Sequence, residues 1–150
     1  QTPRTGYCVV DTASTDIDTN KAIVRRFVDE IMAAGRTEAI DELVAAEFTS
    51  STLGITEDGP KQLAAATERV HASLKDVQFT IDELVAEGGR VAVRLTASGT
   101  PIGDFMGIPA AGKRYRIGEA HFFRVADGRV VEHWHQHDAM GLMKQLGGAP

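Results

Sequence analysis

The apolar residues of this chain change their period part-way along, and that change constrains the fold more than any other feature. Before residue 75 they recur at helical spacing. Ile23, Val24, Phe27, Val28 and Ile31 form one stripe, and Leu63, Val70 and Leu74 form another. From Val77 onward they alternate, first as Val77, Phe79 and Ile81, then as Val91, Val93, Leu95 and Ala97. Glu87-Gly88-Gly89-Arg90 turns between these two runs, which is a hairpin signature. Helices followed by antiparallel strands predict an α+β fold with the helices against one sheet face.

Local signals refine this outline. Asp18 or Thr19 is placed to cap a helix starting near Asn20, Gly35 to end it, and Thr37 to cap a short helix carrying Ile40, Leu43 and Val44. A short strand is expected over 47–52, and Pro60 suits the first turn of a third helix. Residues 100–112, with Pro101, Pro109 and several glycines, read as a loop. Tyr115 to Val125 alternates as a long strand, Asp127-Gly128 turns it, and Asp138 caps a last helix ending near Gly147. Residues 1–18 are polar and lack the basic start and apolar run of a signal peptide, so they read as a tail. Residues 19–150 read as one domain.

Composition removes several classes of partner. The net charge is −5 with no run of Lys or Arg, so no nucleic acid is expected. No apolar run is long enough to cross a membrane. Cys8 is the single cysteine, so the fold needs no oxidising compartment and the expected location is cytoplasmic. Cys8 also lies in the polar tail, a poor place for a nucleophile.

Four of the five histidines fall in one predicted hairpin. His121 is on its first strand, and His133, His135 and His137 occupy alternate positions of its second. Imidazole is the side chain best suited to moving protons near neutral pH. Which rings meet depends on the Asp127-Gly128 turn. A two-residue loop pairs Val125 with Val130, sets His121 alongside Trp134 and turns His135 away. A three-residue loop, with Gly128 as a left-handed bulge, pairs Val125 with Arg129. It sets His121 opposite His133 and Glu119 opposite His135, and it is the register favoured here. It gathers Tyr115, Glu119, His121, Phe123, His133 and His135 on one surface, with Trp134 on the other. His135 is then a candidate general base oriented by Glu119. His121 is a candidate donor to a carbonyl or enolate oxygen, with His133 as its support. His137 is expected to be solvated, and Asp138 to be a cap rather than an acid. Tyr115, Phe123, Phe105 and Met106 are candidates to line an apolar pocket. Three alternating histidines and a carboxylate are also a ligand set for zinc or non-haem iron. Alternate residues on one strand stand about 7 Å apart, however, so a metal needs help from a neighbouring strand.

A longer ordered set of residues carries a family resemblance. Phe105-Met106-Gly107-Ile108-Pro109, Gly112-Lys113-Arg114, Gly118-Glu119-Ala120-His121, Phe123-Arg124, Asp127-Gly128, Glu132-His133-Trp134 and Gly141-Leu142-Met143-Lys144-Gln145-Leu146-Gly147 follow one another at the spacing of the SnoaL-like polyketide cyclases. The resemblance covers roughly residues 19–147. It implies a nuclear-transport-factor-2-like cone, with helices closing a strongly curved, mostly antiparallel sheet around a deep apolar pocket. It implies intramolecular aldol cyclisation of a polyketide ester, with no metal and no organic cofactor. Position by position, His121 matches a pocket histidine of the family. His133 has a counterpart histidine in the nogalamycin-pathway member. His135 stands where that member carries its catalytic carboxylate, and Ser50 where it has a pocket asparagine. Histidine is itself able to abstract a proton. By the same analogy the sheet surface is expected to pair, giving a homodimer or higher homo-oligomer.

The expected function is therefore a small cofactor-independent enzyme doing acid–base chemistry on a carbonyl substrate. His135, His121 and Glu119 are its expected catalytic residues. His133, Tyr115, Phe123, Ser50, Phe105, Met106 and Arg116 are expected around a small apolar or aromatic carbonyl ligand. The alternatives are an isomerase in the same pocket, an epoxide hydrolase in which Arg116 takes part, or a non-catalytic binding protein for a small apolar ligand.

Overall fold

A computed structural model describes residues 16–148, so Cys8 and nearly all of the predicted tail lie outside it. Helix α1 (Ile17–Arg26) opens the described chain and continues as a wider, π-helical stretch, Phe27–Ala33. Its cap is Asp16 rather than Asp18 or Thr19, because the Asp16 carboxylate accepts from the free amides of both later residues. The predicted stripe is buried: Val24, Phe27, Val28 and Ile31 are at most 2% exposed. Gly35 follows at φ 68°, and a Cβ at that position would meet the His71 ring at 3.0 Å. A 3₁₀ turn, Thr37–Ala39, leads into α2 (Ile40–Leu43).

Strand β1 (Val44–Ser50) starts three residues before the predicted position, directly from α2. Helix α3 (Gly59–Ser73) carries Pro60 in its first turn. Gly59 is needed for a steric reason, since a Cβ there would stand 2.1 Å from the Phe48 carbonyl oxygen of β1. Strands β2 (Leu74–Glu87) and β3 (Arg90–Pro101) form the predicted hairpin. The predicted loop over 100–112 contains a small hairpin of its own, β4 (Asp104–Phe105) and β5 (Ile108–Pro109). Met106 and Gly107 turn it with φ of 53° and 75°, so Met106 adopts a conformation that composition alone does not announce. Strands β6 (Tyr115–Ala126) and β7 (Arg129–His137) follow, then α4 (Ala139–Leu146). Asp138 caps α4 as predicted, accepting from the Gly141 amide at 2.9 Å.

Five strands form one sheet in the order β1-β7-β6-β3-β2. β1 runs parallel to β7, and the other neighbours are antiparallel. Register shifts in β2 and in the β6–β7 pair bend the sheet, as bulges do. The helices cover its inner face, where Val93, Leu95 and Ile117 join Val24, Ile31 and Leu142 in one core. Fully burying such a side chain contributes roughly 2 kcal/mol, so these positions fix which face turns inward. Phe122 and Trp134 lie on the outer face, 53% and 40% exposed, with their rings edge-on at 5.6 Å.

Candidate active site

The β6–β7 turn is the two-residue type, with Asp127 and Gly128 both left-handed at φ of 51° and 76°. Val125 pairs with Val130, which corrects the predicted Val125–Arg129 pairing. Taken alone, that turn would set His121 opposite Trp134. A bulge intervenes: Arg124 pairs with Glu132, so Val131 is the extra residue. The shift brings the histidines back to the inner face, with His121 opposite His135, Phe123 opposite His133 and Glu119 opposite His137. The predicted shared face is therefore observed, while each predicted partner is displaced by two residues.

The displacement changes the chemistry. Glu119 holds His121, not His135: its Oε1 lies 2.8 Å from His121 Nε2. The other nitrogen of that ring, Nδ1, lies 2.9 Å from His133 Nε2. His133 Nδ1 in turn lies 2.8 Å from the Ser50 hydroxyl. Both nitrogens of both buried rings are thus engaged. The parallel pairing of β1 with β7 brings Ser50 beside His133, and Thr52, in the turn just after β1, reaches His135. Thr52 Oγ1 accepts the His135 backbone N–H at 3.1 Å and lies 2.9 Å from His135 Nδ1. A hydroxyl oxygen has two lone pairs, so it can accept from Nδ1–H as well. His135 Nε2 has no hydrogen-bond partner among the described residues, and it carries a lone pair in the tautomer whose Nδ1–H donates to Thr52.

Burial sets the charge states. It lowers the His133 pKa to about 2, with the charges of His121 and His135 adding to the effect. His135 is also held below the ordinary imidazole value, first by burial and then by His121, against an opposing pull from Glu119. Burial, then the Glu119 charge, pushes the Tyr115 phenol up to about 12. Near neutral pH His133 and His135 are uncharged imidazoles and Tyr115 is an intact phenol.

These groups form one wall of a cavity of about 310 Å³. The remaining lining is mainly apolar, with Phe27, Leu63, Val70, Phe79 and Leu142 among its residues. Phe105 and Met106 reach it from the β4–β5 hairpin, where Phe105 stacks on Tyr115 with centroids 6.1 Å apart. No Lys, Arg or Asp lines it among the described residues.

The sequence profile of SnoaL-like polyketide cyclases matches residues 22–146. The chain belongs to that family. It is 31% identical to aklanonic acid methyl ester cyclase DnrD from Streptomyces peucetius, over 89% of this chain and 92% of that one. It is 30% identical to nogalonic acid methyl ester cyclase from Streptomyces nogalater, over 75% of this chain and 87% of that one. The solved structure of TsrD from Streptomyces laurentii superposes with a TM-score of 0.80 at 29% identity, over 89% of this chain and 98% of that one. The α+β cone of SnoaL-like proteins is the architecture described above.

Within this SnoaL-like chain, His121, His133, His135, Glu119, Tyr115, Phe105 and Met106 line the cavity. Three predicted contact residues do not. Ser50 is fully buried behind His133. Phe123 is 2% exposed and packs edge-on against Phe27 at 5.1 Å, beneath the histidines. Arg116 is exposed, and its backbone pairs with the Gln145 side chain. Arg116, expected to take part in the epoxide-hydrolase alternative, is not among the lining residues. His137, expected to be solvated, lines the cavity and stacks on His135 at 6.0 Å. Sequence reasoning missed Thr52 and His71. The latter follows Leu63, Thr67 and Val70 on the inner face of α3 and is anchored by the Met32 carbonyl at 2.9 Å.

Nitrogens of His121, His133 and His135 lie within 4.8 Å of one another. A tetrahedral zinc with Zn–N bonds of 2.0–2.1 Å would separate its nitrogens by about 3.3 Å and draw their lone pairs to one point. Here His121 and His133 sit at hydrogen-bond distance instead. The His121 and His135 planes are 12° apart with centroids 4.9 Å apart. Among the three, a hydrogen bond joins His121 to His133, and His135 stacks on both.

Proposed function

We propose that this protein is a polyketide ester cyclase that closes a ring by intramolecular aldol condensation, with His135 as general base. The observation that carries this reading is the state of His135. Like His71 and His137, it is a cavity-wall imidazole with a nitrogen unpartnered among the described residues, here Nε2. It is the one whose other nitrogen and backbone N–H are both fixed by Thr52, beside the Glu119–His121 pair. His135 Nε2 takes a proton from an acidic carbon between carbonyl groups. The enolate carbon attacks a second carbonyl of the same molecule, and a carbon–carbon bond forms. The resulting alkoxide takes a proton from the Glu119–His121 pair in its protonated form, through the second Glu119 oxygen, and the proton held by His135 is returned to the pair through solvent, so both groups are restored. The reaction is an isomerisation and consumes no co-reactant.

The cavity suits a flat apolar carbonyl compound. Folding such a chain against its walls brings the reacting carbons together, which supplies much of the acceleration. With no Lys or Arg among the described lining residues, a free carboxylate on the ligand would find no ion-pair partner, so an esterified substrate fits better. The names of DnrD and the Streptomyces nogalater relative, both methyl ester cyclases, support the same class. Incubation with aklanonic acid methyl ester tests the reading. We expect a product of unchanged mass and altered chromatographic retention, formed faster than in buffer. Formation at the buffer rate for this and for nogalonic acid methyl ester would refute it.

A further inference from the structure

We propose that Ser50 is a positioning residue: its hydroxyl, by turning from donor to acceptor, lets buried His133 change tautomer and so lets the Glu119–His121 pair take up or release one proton. The inference rests on the acid–base reading of the site and deepens it.

Ser50, His133 and His121 are 0%, 6% and 2% exposed, and with Glu119 they form an unbranched chain of hydrogen bonds of 2.8, 2.9 and 2.8 Å. Only Glu119, at the open end, reaches the cavity with a spare oxygen. Every ring nitrogen in the chain needs a partner in any state that is populated, because a buried N–H without an acceptor is costly. Two arrangements meet this demand. In the first, Ser50 donates to His133 Nδ1, His133 Nε2–H donates to His121 Nδ1, and His121 Nε2–H donates to the Glu119 carboxylate. In the second, the Glu119–His121 pair holds one more proton. His121 now donates from both nitrogens, so His133 must accept at Nε2, carry its own proton on Nδ1 and donate it to Ser50. His133 remains neutral in both and only exchanges tautomers. The hydroxyl at the closed end must therefore reverse its role whenever the pair gains or loses its proton. Serine does this by rotating one bond.

Apolar residues flank the two rings: Val93 and Leu95 of β3 stand opposite His121 and Glu119, and Phe27 stacks on His133 with centroids 6.2 Å apart. The titratable groups facing the chain are Tyr115 on β6, His135 and His137 on β7, and His71 on α3, all toward the cavity.

Nitrogen-15 NMR of the histidine rings tests this on the full chain without substrate. As the pH falls and the chain of hydrogen bonds gains its proton, we expect His133 to move from Nε2–H to Nδ1–H without gaining a second proton. In Ser50→Ala the protonated arrangement loses its terminal acceptor, so the midpoint of this tautomer switch should move down by about one pH unit. Ser50→Thr keeps a hydroxyl and should restore the wild-type midpoint. A purely structural serine would lower melting temperature in the alanine variant and leave the midpoint in place. The proposal is overturned if His133 keeps one tautomer across the titration, a reading that wild type supplies even if a variant does not fold. An unmoved midpoint in Ser50→Ala overturns it equally. A chain that closes no ring refutes the cyclase reading yet leaves these NMR results standing, so the two failures are distinguishable.

Discussion

Glu119 Oε1 and His121 Nε2 lie 2.8 Å apart, and both side chains sit on the inner wall of the β6 strand. The pair makes His121 the inner partner of a carboxylate rather than a free donor. Replacing the carboxylate by an amide keeps the shape and removes the charge. Glu119→Gln should lower kcat by about 100-fold, within the range for loss of one acid–base group. The Tyr115 phenol, held at about 12 by burial first and the Glu119 charge second, should titrate lower in this variant but stay above its ordinary value. Steady-state kinetics and tyrosine NMR check the two effects. An unchanged kcat would remove Glu119 from the mechanism.

His135 works as a base only when neutral. Burial, then the nearby His121, holds its pKa below the ordinary 6.5. The acidic limb of kcat/KM should therefore turn below pH 6.5, with activity level from there up through neutrality. A limb turning at or above 6.5 would contradict this placement of the base.

Stability carries its own pH signature through His133, whose pKa falls from 6.5 to about 2 on folding. Between those values the unfolded chain binds the extra proton and the folded one does not. Stability is therefore complete above pH 6.5 and declines as the pH falls toward 2. Each pH unit costs about 1.4 kcal/mol, so lowering the pH to 5 should cost about 2 kcal/mol from this residue. Urea unfolding at pH 7 and pH 5 measures the loss, and His133→Gln should reduce it. Equal stability at both values would contradict the buried neutral ring.

Thr52 touches no ligand in this account but fixes the base. Thr52→Val keeps the bulk and removes the hydroxyl that bonds His135 Nδ1 and accepts its backbone N–H. Loss of one such hydrogen bond, worth about 1 kcal/mol, should lower kcat by roughly 5- to 10-fold with KM little changed. A rise in KM at constant kcat would assign Thr52 to ligand binding instead.

The inner face of this hairpin was legible in the sequence because alternation is local: Tyr115, Glu119, His121, His133 and His135 differ by even steps along two strands. Their partners were not. The Asp127-Gly128 dipeptide signals a two-residue turn. It says nothing of the extra residue Val131, and one bulge is enough to reverse the face that the turn alone would present. Thr52 and the partner of Ser50 were hidden for a different reason. Each meets its histidine across 83 positions of sequence, Ser50 through parallel pairing of β1 with β7 and Thr52 from the turn just after it, which no local pattern specifies. The helical stripe through Phe27 and Ile31 was read correctly because burial demands it, whereas the start of α1 moved because Asp16 caps as well as Asp18.

The most direct test of the central claim follows the first chemical step alone. Aklanonic acid methyl ester incubated in D₂O exchanges its acidic carbon-bound hydrogen whenever a base removes it. Mass spectrometry of recovered substrate and product then reports deuterium uptake. Wild type should incorporate deuterium far faster than buffer, and His135→Ala should lose this exchange by about 100-fold or more while keeping its fold by circular dichroism. Exchange at the wild-type rate in folded His135→Ala would contradict the account.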